Sequence, residues 1–247
     1  MPMIVDTHCH LDMLTPLSLH AEIDSARRYL TMSTGVQNWH TVSNLCGTHA
    51  NVFAALGIHP WFVASQPADA ISSLQRLLDQ NRPTALGEIG LDFSSAHIAQ
   101  RHEQLRVFEA QLVLAKEYAL PVSLHVIKAH AQMLALLKRY RPAGVVHSLG
   151  ASTELAQQYI DLGLKIGVNS LVVRDNARRY HQLVTHFGVE AIVLESDAPN
   201  IVLPGAKSGH LYDIDATIAR IAQLSGMHND DVISLTEHNA QQIFHFS

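Results

Sequence analysis

Cysteine is scarce in this chain. Cys9 and Cys46 are the only two in 247 residues. Two are too few for a disulfide framework, and they suit a reducing, cytoplasmic setting. No apolar run approaches the ~20 residues needed to span a bilayer, so no membrane association is expected. The N-terminus has neither the basic region nor the apolar stretch of a secretory signal. Dense Lys/Arg runs are also missing, and the formal net charge is −5. That balance argues against a protein held on nucleic acid by a broad basic face. It still permits a nuclease whose bound metals supply the positive charge. Linkers, low-complexity tracts and internal repeats are absent, so residues 1–247 are expected to form one domain. The length is usual for a single α/β barrel. What is present is 47% hydrophobic and 16% charged, ample core material for a globular protein.

Short apolar runs alternate with longer helical patterns. Strands are expected at 3–8, 36–43, 51–58, 84–89, 121–126, 143–148, 164–169 and 190–196. Over 97–119, Leu105, Phe108, Leu112, Ala115 and Ala119 recur at spacings of three and four, and Pro121 follows. That is one apolar helical stripe with a stop. Residues 152–162 begin at a Ser-Thr cap and stop before Gly163. Helices are also expected at 67–81, 129–140, 177–187, 213–225 and 230–243. Eight strands interleaved with helices predict parallel β-α units closing into a (β/α)8 TIM barrel. The second unit is expected to be short or irregular, because residues 44–50 leave no room for a full helix.

A barrel of this type carries its chemistry at the carboxyl ends of its strands. His8 and His10 stand one residue apart at the end of the first strand, where i and i+2 share a face; Cys9 between them should face the core. Neutral imidazole is a common ligand for zinc and other first-row divalent ions. The fourth strand ends in Glu88, the fifth in His125, the sixth in His147 and the eighth in Asp197. Four imidazoles and two carboxylates converging on one mouth suit two divalent ions, with a carboxylate bridging them.

The chain resembles the TatD family of metal-dependent deoxyribonucleases, within the amidohydrolase-like barrels. The matching stretches are DTHCHLD (6–12), GIHP (57–60), GEIGLD (87–92), LPVSLH (120–125), VVH (145–147), ESDAP (195–199) and NAQQIF (239–244). They run from end to end in order. The resemblance implies a barrel hydrolase that cleaves phosphodiester bonds, with DNA or another phosphodiester as its partner. It implies one metal held by His8, His10, Glu88 and Asp197, and a second held by Glu88, His125 and His147. The two ions would be Zn, Mg or Mn. Asp197 is placed to act as general base toward a metal-activated water, and Glu88 as the bridging catalytic carboxylate.

Substrate contacts are expected from His59, Asp92, Lys128, Lys207 and His210. Plainer readings stand beside two of these: His59 packing against Pro60 and Trp61, and Asp92 opening a loop. Asp6 either supports a ligand or caps the strand end, and Glu195 either faces the site or serves as a buried partner. The match weakens around the metals. Family members usually carry arginine two residues after the fifth-strand histidine; here Ile127 occupies that place, followed by Lys128. Isoleucine cannot make the two-pronged phosphate grip of a guanidinium. A metal-dependent ester or amide hydrolase, or a non-catalytic metal or nucleic-acid binding protein, are the alternative readings. No protein partner is indicated and a monomer is expected.

Overall fold

The computed structural model describes residues 2–246. The apolar runs form β1 (Ile4–Cys9), β2 (Arg27–Met32), β3 (Val52–Leu56), β4 (Ala85–Asp92), β5 (Val122–Ile127), β6 (Gly144–Val146), β7 (Lys165–Val168) and β8 (Ile192–Leu194). The strands are ordered β1 through β8 in one sheet, and consecutive strands pair in parallel. The helices between them are α1 (Pro16–Glu22), α2 (Trp39–Thr48), α3 (Ala70–Gln80), α4 (Arg101–Glu117), α5 (His130–Tyr140), α6 (Thr153–Ile160) and α7 (Arg178–Phe187); α8 (Ile214–Ser225) and α9 (Asn229–Phe244) follow β8. This is the expected (β/α)8 barrel.

The second strand is a correction. Residues 36–43 are not a strand: they run through a turn into α2. Val36, Trp39, Val42 and Cys46 recur at three and four, the helical period, and Trp39 and Val42 are buried. Asn38 secures the turn, its Oδ1 accepting from the Thr34 and Gly35 N–H groups. The true second strand, RRYLTM, opens with two arginines that mask its apolar half. Its unit is therefore complete, with a ten-residue helix. The short helix is α1, seven residues in the first unit.

The two ends of the barrel are built differently. At one end Val5, Leu30, Met32, Ala55, Ala85, Val145 and Val193 form an apolar cluster with Ala240, Ile243 and Phe244 of α9 and with Phe246. The NAQQIF segment thus plugs the barrel floor. Asn239 fastens the plug by donating to the Val189 and Ile192 carbonyls at 2.9 and 2.8 Å. Elsewhere the helices pack on the strands. Phe108 and Leu112 of α4 are fully buried, each contributing about 1.5–3 kcal/mol by leaving water. The opposite end is lined with buried polar groups.

β1 and β8 meet at that polar end. The Asp197 N–H donates to the His8 carbonyl at 2.9 Å and the His10 N–H to the Ala198 carbonyl at 2.8 Å. Asp6 accepts from the Ser196 N–H at 3.0 Å and from its hydroxyl at 2.6 Å. It also accepts from the His8 N–H at 3.2 Å. Asp6 thereby ties the backbone of both strand ends together.

Candidate metal centre and active site

The carboxyl ends of β1, β4, β5, β6 and β8 bring His8, His10, Glu88, His125, His147 and Asp197 to one place. All six are buried. Except for His8, which lies behind the surface, they line a cavity of about 560 Å³, shared with Asp12, Met13, Thr34, His59, Trp61, Phe62 and Asn200. His8 and Glu88 lie 3.5 Å apart, His10 and Glu88 3.6 Å, and His10 and Asp197 3.5 Å. His147 Nε2 is 3.5 Å from Asp197 Oδ2. The His125 ring is 3.0 Å from Glu88 Oε1. Gly90 permits this last approach: its φ is +151°, and a Cβ there would strike the His125 backbone.

Donor atoms within 4.8 Å of one another form three groups: His8, His10 and Glu88; His8, His147 and Asp197; His59, Glu88 and His125. His147 thus sides with His8, its ring stacked on that of His8 at 3.7 Å. His59 takes the place beside Glu88 and His125 that the family pattern allots to His147.

Buried partners aim these side chains. Ser123 Oγ lies 3.0 Å from His8 Nδ1, so His8 Nε2 faces the centre. Glu195 Oε1 lies 2.9 Å from His147 Nδ1 and accepts from the Ser148 N–H and the Asn169 amide, each at 2.9 Å. A Cβ on Gly167 would occupy the space of the Glu195 carboxylate. Asn200 donates to Asp197 Oδ1 at 3.0 Å. Asp197 itself holds φ +50°, a left-handed conformation that aspartate tolerates better than most residues.

The electrostatics favour charged carboxylates. Burial opposes ionisation of Glu88, but nearby His59 and His8 and a hydrogen bond with His125 outweigh it, holding its carboxyl well below the usual range. Burial likewise opposes ionisation of Asp197, and His147, His8 and His10 bring it down to about 2. His59 is lowered to about 4 by burial, against the pull of Glu88. His8 Nε2 is buried without a hydrogen-bond partner and lies 3.5 Å from Glu88 Oε2, while His10 Nε2 faces Glu88 and Asp197 at 3.6 and 3.5 Å. Buried polar atoms normally have partners. An orphaned imidazole nitrogen and further imidazoles converging on ionised carboxylates are the donor set a divalent cation takes. The residues present therefore fit metal ions.

The expected substrate contacts divide. His59 lines the cavity, its Nε2 3.5 Å from Glu88 Oε1. Its Nδ1 accepts from the Trp61 N–H, so His59 also caps the turn Pro60–Ser65. Asp92 stands behind the wall: its Oδ2 accepts from the Trp61 indole at 2.6 Å and lies 3.5 Å from His125 Nε2. Lys128, Lys207 and His210 do not line the cavity. His210 is turned to Glu22, 3.0 Å from its Nδ1, and to Ser208, 2.8 Å from its Nε2. Cys9 is fully buried among Leu11, Tyr29, Val52, Ala198 and Leu211, on the core side. Sequence reasoning misses Asp12, Met13, Thr34, Trp61, Phe62 and Asn200 as lining. Asp12 ends the DTHCHLD motif and Asn200 follows ESDAP, so motif adjacency was the available signal. For Thr34 there is none, since it follows β2, whose position the apolar pattern does not reveal.

Barrel and donor set together define a metal-dependent hydrolase. The sequence model of the TatD related DNase family matches residues 5–245. The chain belongs to that family. It is 30% identical to an uncharacterized metal-dependent hydrolase of Haemophilus influenzae, over 97% of this chain and 98% of that protein. It is also 30% identical to the 3'-5' ssDNA/RNA exonuclease TatD of Erwinia amylovora, over 81% of this chain and 82% of the relative. The crystal structure of YjjV, a TatD homologue from Escherichia coli K12, superposes with a TM-score of 0.89 at 29% identity, covering 98% of each chain.

Proposed function

We propose that this hydrolase is a deoxyribonuclease cleaving phosphodiester bonds of single-stranded or terminal DNA, with two divalent ions per chain. The observation that carries the reading is the split of Glu88. Its Oε2 faces His8 and His10, while its Oε1 faces His125 and His59. A carboxylate whose two oxygens point into two donor groups is what a bridge between two cations requires. His8, His10 and Asp197 would complete one site. His125, with His147 or His59, would complete the other. The imidazoles suit zinc or manganese, and the carboxylates also suit magnesium. Bound cations supply Lewis acidity toward the phosphoryl oxygen and make water a nucleophile near neutrality. Asp197 stays ionised, steadied on one oxygen by Asn200, and takes the proton of the attacking water. The Erwinia relative's name specifies single-stranded nucleic acid, which supports the same substrate class here. Free Cys9 and Cys46 suit a reducing cytoplasm.

One observation favours a second reading, a small ester or amide substrate. The cavity lining holds no lysine or arginine among the described residues, and Ile127 is exposed where the family arginine would stand. Oligonucleotides and activated esters assayed side by side with Mg, Mn or Zn separate the two. Cleavage of esters alone would reverse the ranking. Asp197→Asn should keep much of its metal and lose most turnover, of the order of 10²- to 10⁴-fold for a general base. Unchanged turnover in a metal-replete mutant would remove Asp197 from that role.

A further inference from the structure

We infer that Trp61 is a stacking platform for one unpaired nucleobase beside the cleaved phosphate, in place of the missing arginine grip. The inference rests on the phosphodiesterase reading. Trp61 lines the cavity and 49% of it is exposed, so part of a large aromatic face is open to solvent at the mouth. It is held in place from three sides. The Asp92 carboxylate accepts its indole N–H at 2.6 Å. The His59 ring accepts its backbone N–H. The His97 ring lies nearly parallel to it, 13° between planes and 5.1 Å between centroids. An aromatic face fixed in advance loses little entropy when a flat ligand settles on it.

The position of the indole selects the ligand. Its ring centroid is 4.9 Å from that of His59 and 5.8 Å from that of His125, and both imidazoles touch Glu88. The platform is thus one imidazole away from the bridging carboxylate, a separation that one sugar could span between a phosphate at the metals and its base. Phe62, partly exposed, lines the same cavity and widens its apolar margin. Without lysine or arginine in the lining, affinity for a strand must come from the metal centre and from stacking. Base–aromatic stacking needs no particular sequence, because every base offers a flat face. The class of substrate is therefore a short or terminal stretch with its base unpaired. A duplex interior, whose bases are already stacked, would be excluded.

The test uses the metal-loaded enzyme and two short single-stranded oligonucleotides, one normal and one abasic at its terminal nucleotides. Wild type should show a KM lower for the normal strand by roughly tenfold or more. Trp61→Ala should bring that ratio close to one, and Trp61→Phe should retain most of it. Binding should also quench indole emission. The chain has two tryptophans, and Trp39 is buried with its N–H on the Gly57 carbonyl, so the quenching reports Trp61. A ratio preserved in a folded Trp61→Ala, or binding without quenching, overturns the platform. If both strands are cut equally well, the platform fails and the nuclease reading survives. If the normal strand quenches and the abasic one does not, but neither is cut, base binding by Trp61 survives, and its place beside a cleaved phosphate falls with the nuclease reading. If only aryl esters bind and react, both fall.

Discussion

Glu195 receives three polar contacts on one buried oxygen: the His147 ring, the Ser148 N–H and the Asn169 amide. Such a carboxylate fixes both the tautomer and the orientation of an imidazole, so that the opposite nitrogen is presented to a metal. Burial works against a proton on His147, but Glu195 and then Asp197 hold its pKa well above the ordinary value. Glu195→Gln should lower metal affinity by about 10- to 100-fold while leaving the fold intact. Competition against a chromogenic chelator would measure it; an unchanged affinity would reduce Glu195 to a packing role. The residue was visible in ESDAP only as a carboxylate near another carboxylate. Its function depends on Gly167, whose missing side chain on β7 leaves room for it, and nothing local to residue 195 announces that.

At the scale of elements, α4 does more than pack. Its stripe was legible: Phe108, Leu112 and Ala115 are buried at the expected spacing. The helix is shorter than expected, ending at Glu117, and Ala119 lies beyond it at φ +52°. The same face also buries two glutamines, which a hydrophobic reading skips. Gln111 accepts the Ile58 N–H at 2.7 Å and donates to the Ile58 carbonyl at 3.1 Å. Gln104 does the same for Asp92, at 2.8 and 2.9 Å. Each amide acts as a substitute strand, satisfying backbone where β3 and β4 have run out of neighbours. His59 and Asp92 take their positions from this. Gln111→Leu should strand two buried backbone groups at about 1–3 kcal/mol each. Thermal unfolding should register a loss of about 2–4 °C per kcal/mol. A Tm within a degree of wild type would show that the loop finds other partners. The difference over 36–43, expected as a strand and found as a turn and α2, has a similar source. A short apolar run satisfies either period, and Arg27 and Arg28 made the real strand look like surface. Arg27 is in fact paired with Asp215, 2.9 Å away on α8.

The whole molecule divides its barrel into an apolar floor, plugged by α9, and a polar mouth that concentrates buried ionisable groups. Among the described residues no helix is long and apolar enough to cross a membrane. The mouth carries an electrostatic cost. Asp6, between the two strand ends, is raised to about 7 by burial, despite hydrogen bonds from Ser196 and His8. Divalent ions that bind only the folded mouth would stabilise the barrel, by about 2.7 kcal/mol per site at a hundredfold excess over Kd. Chelator treatment should therefore lower Tm by several degrees, and re-addition of metal should restore it. A Tm indifferent to verified metal removal would show that the mouth is self-sufficient. The sequence by itself determined the barrel and the six candidate donors at strand ends, though not the position of β2. Those follow from local period and from residue chemistry within a few positions. Tertiary structure alone decided which donors sit together, that Asp92 holds Trp61 rather than facing the cavity, and that His210 is engaged by Glu22 instead of substrate. These pairings join residues 31 to 188 positions apart, and only closure of the barrel brings them within reach.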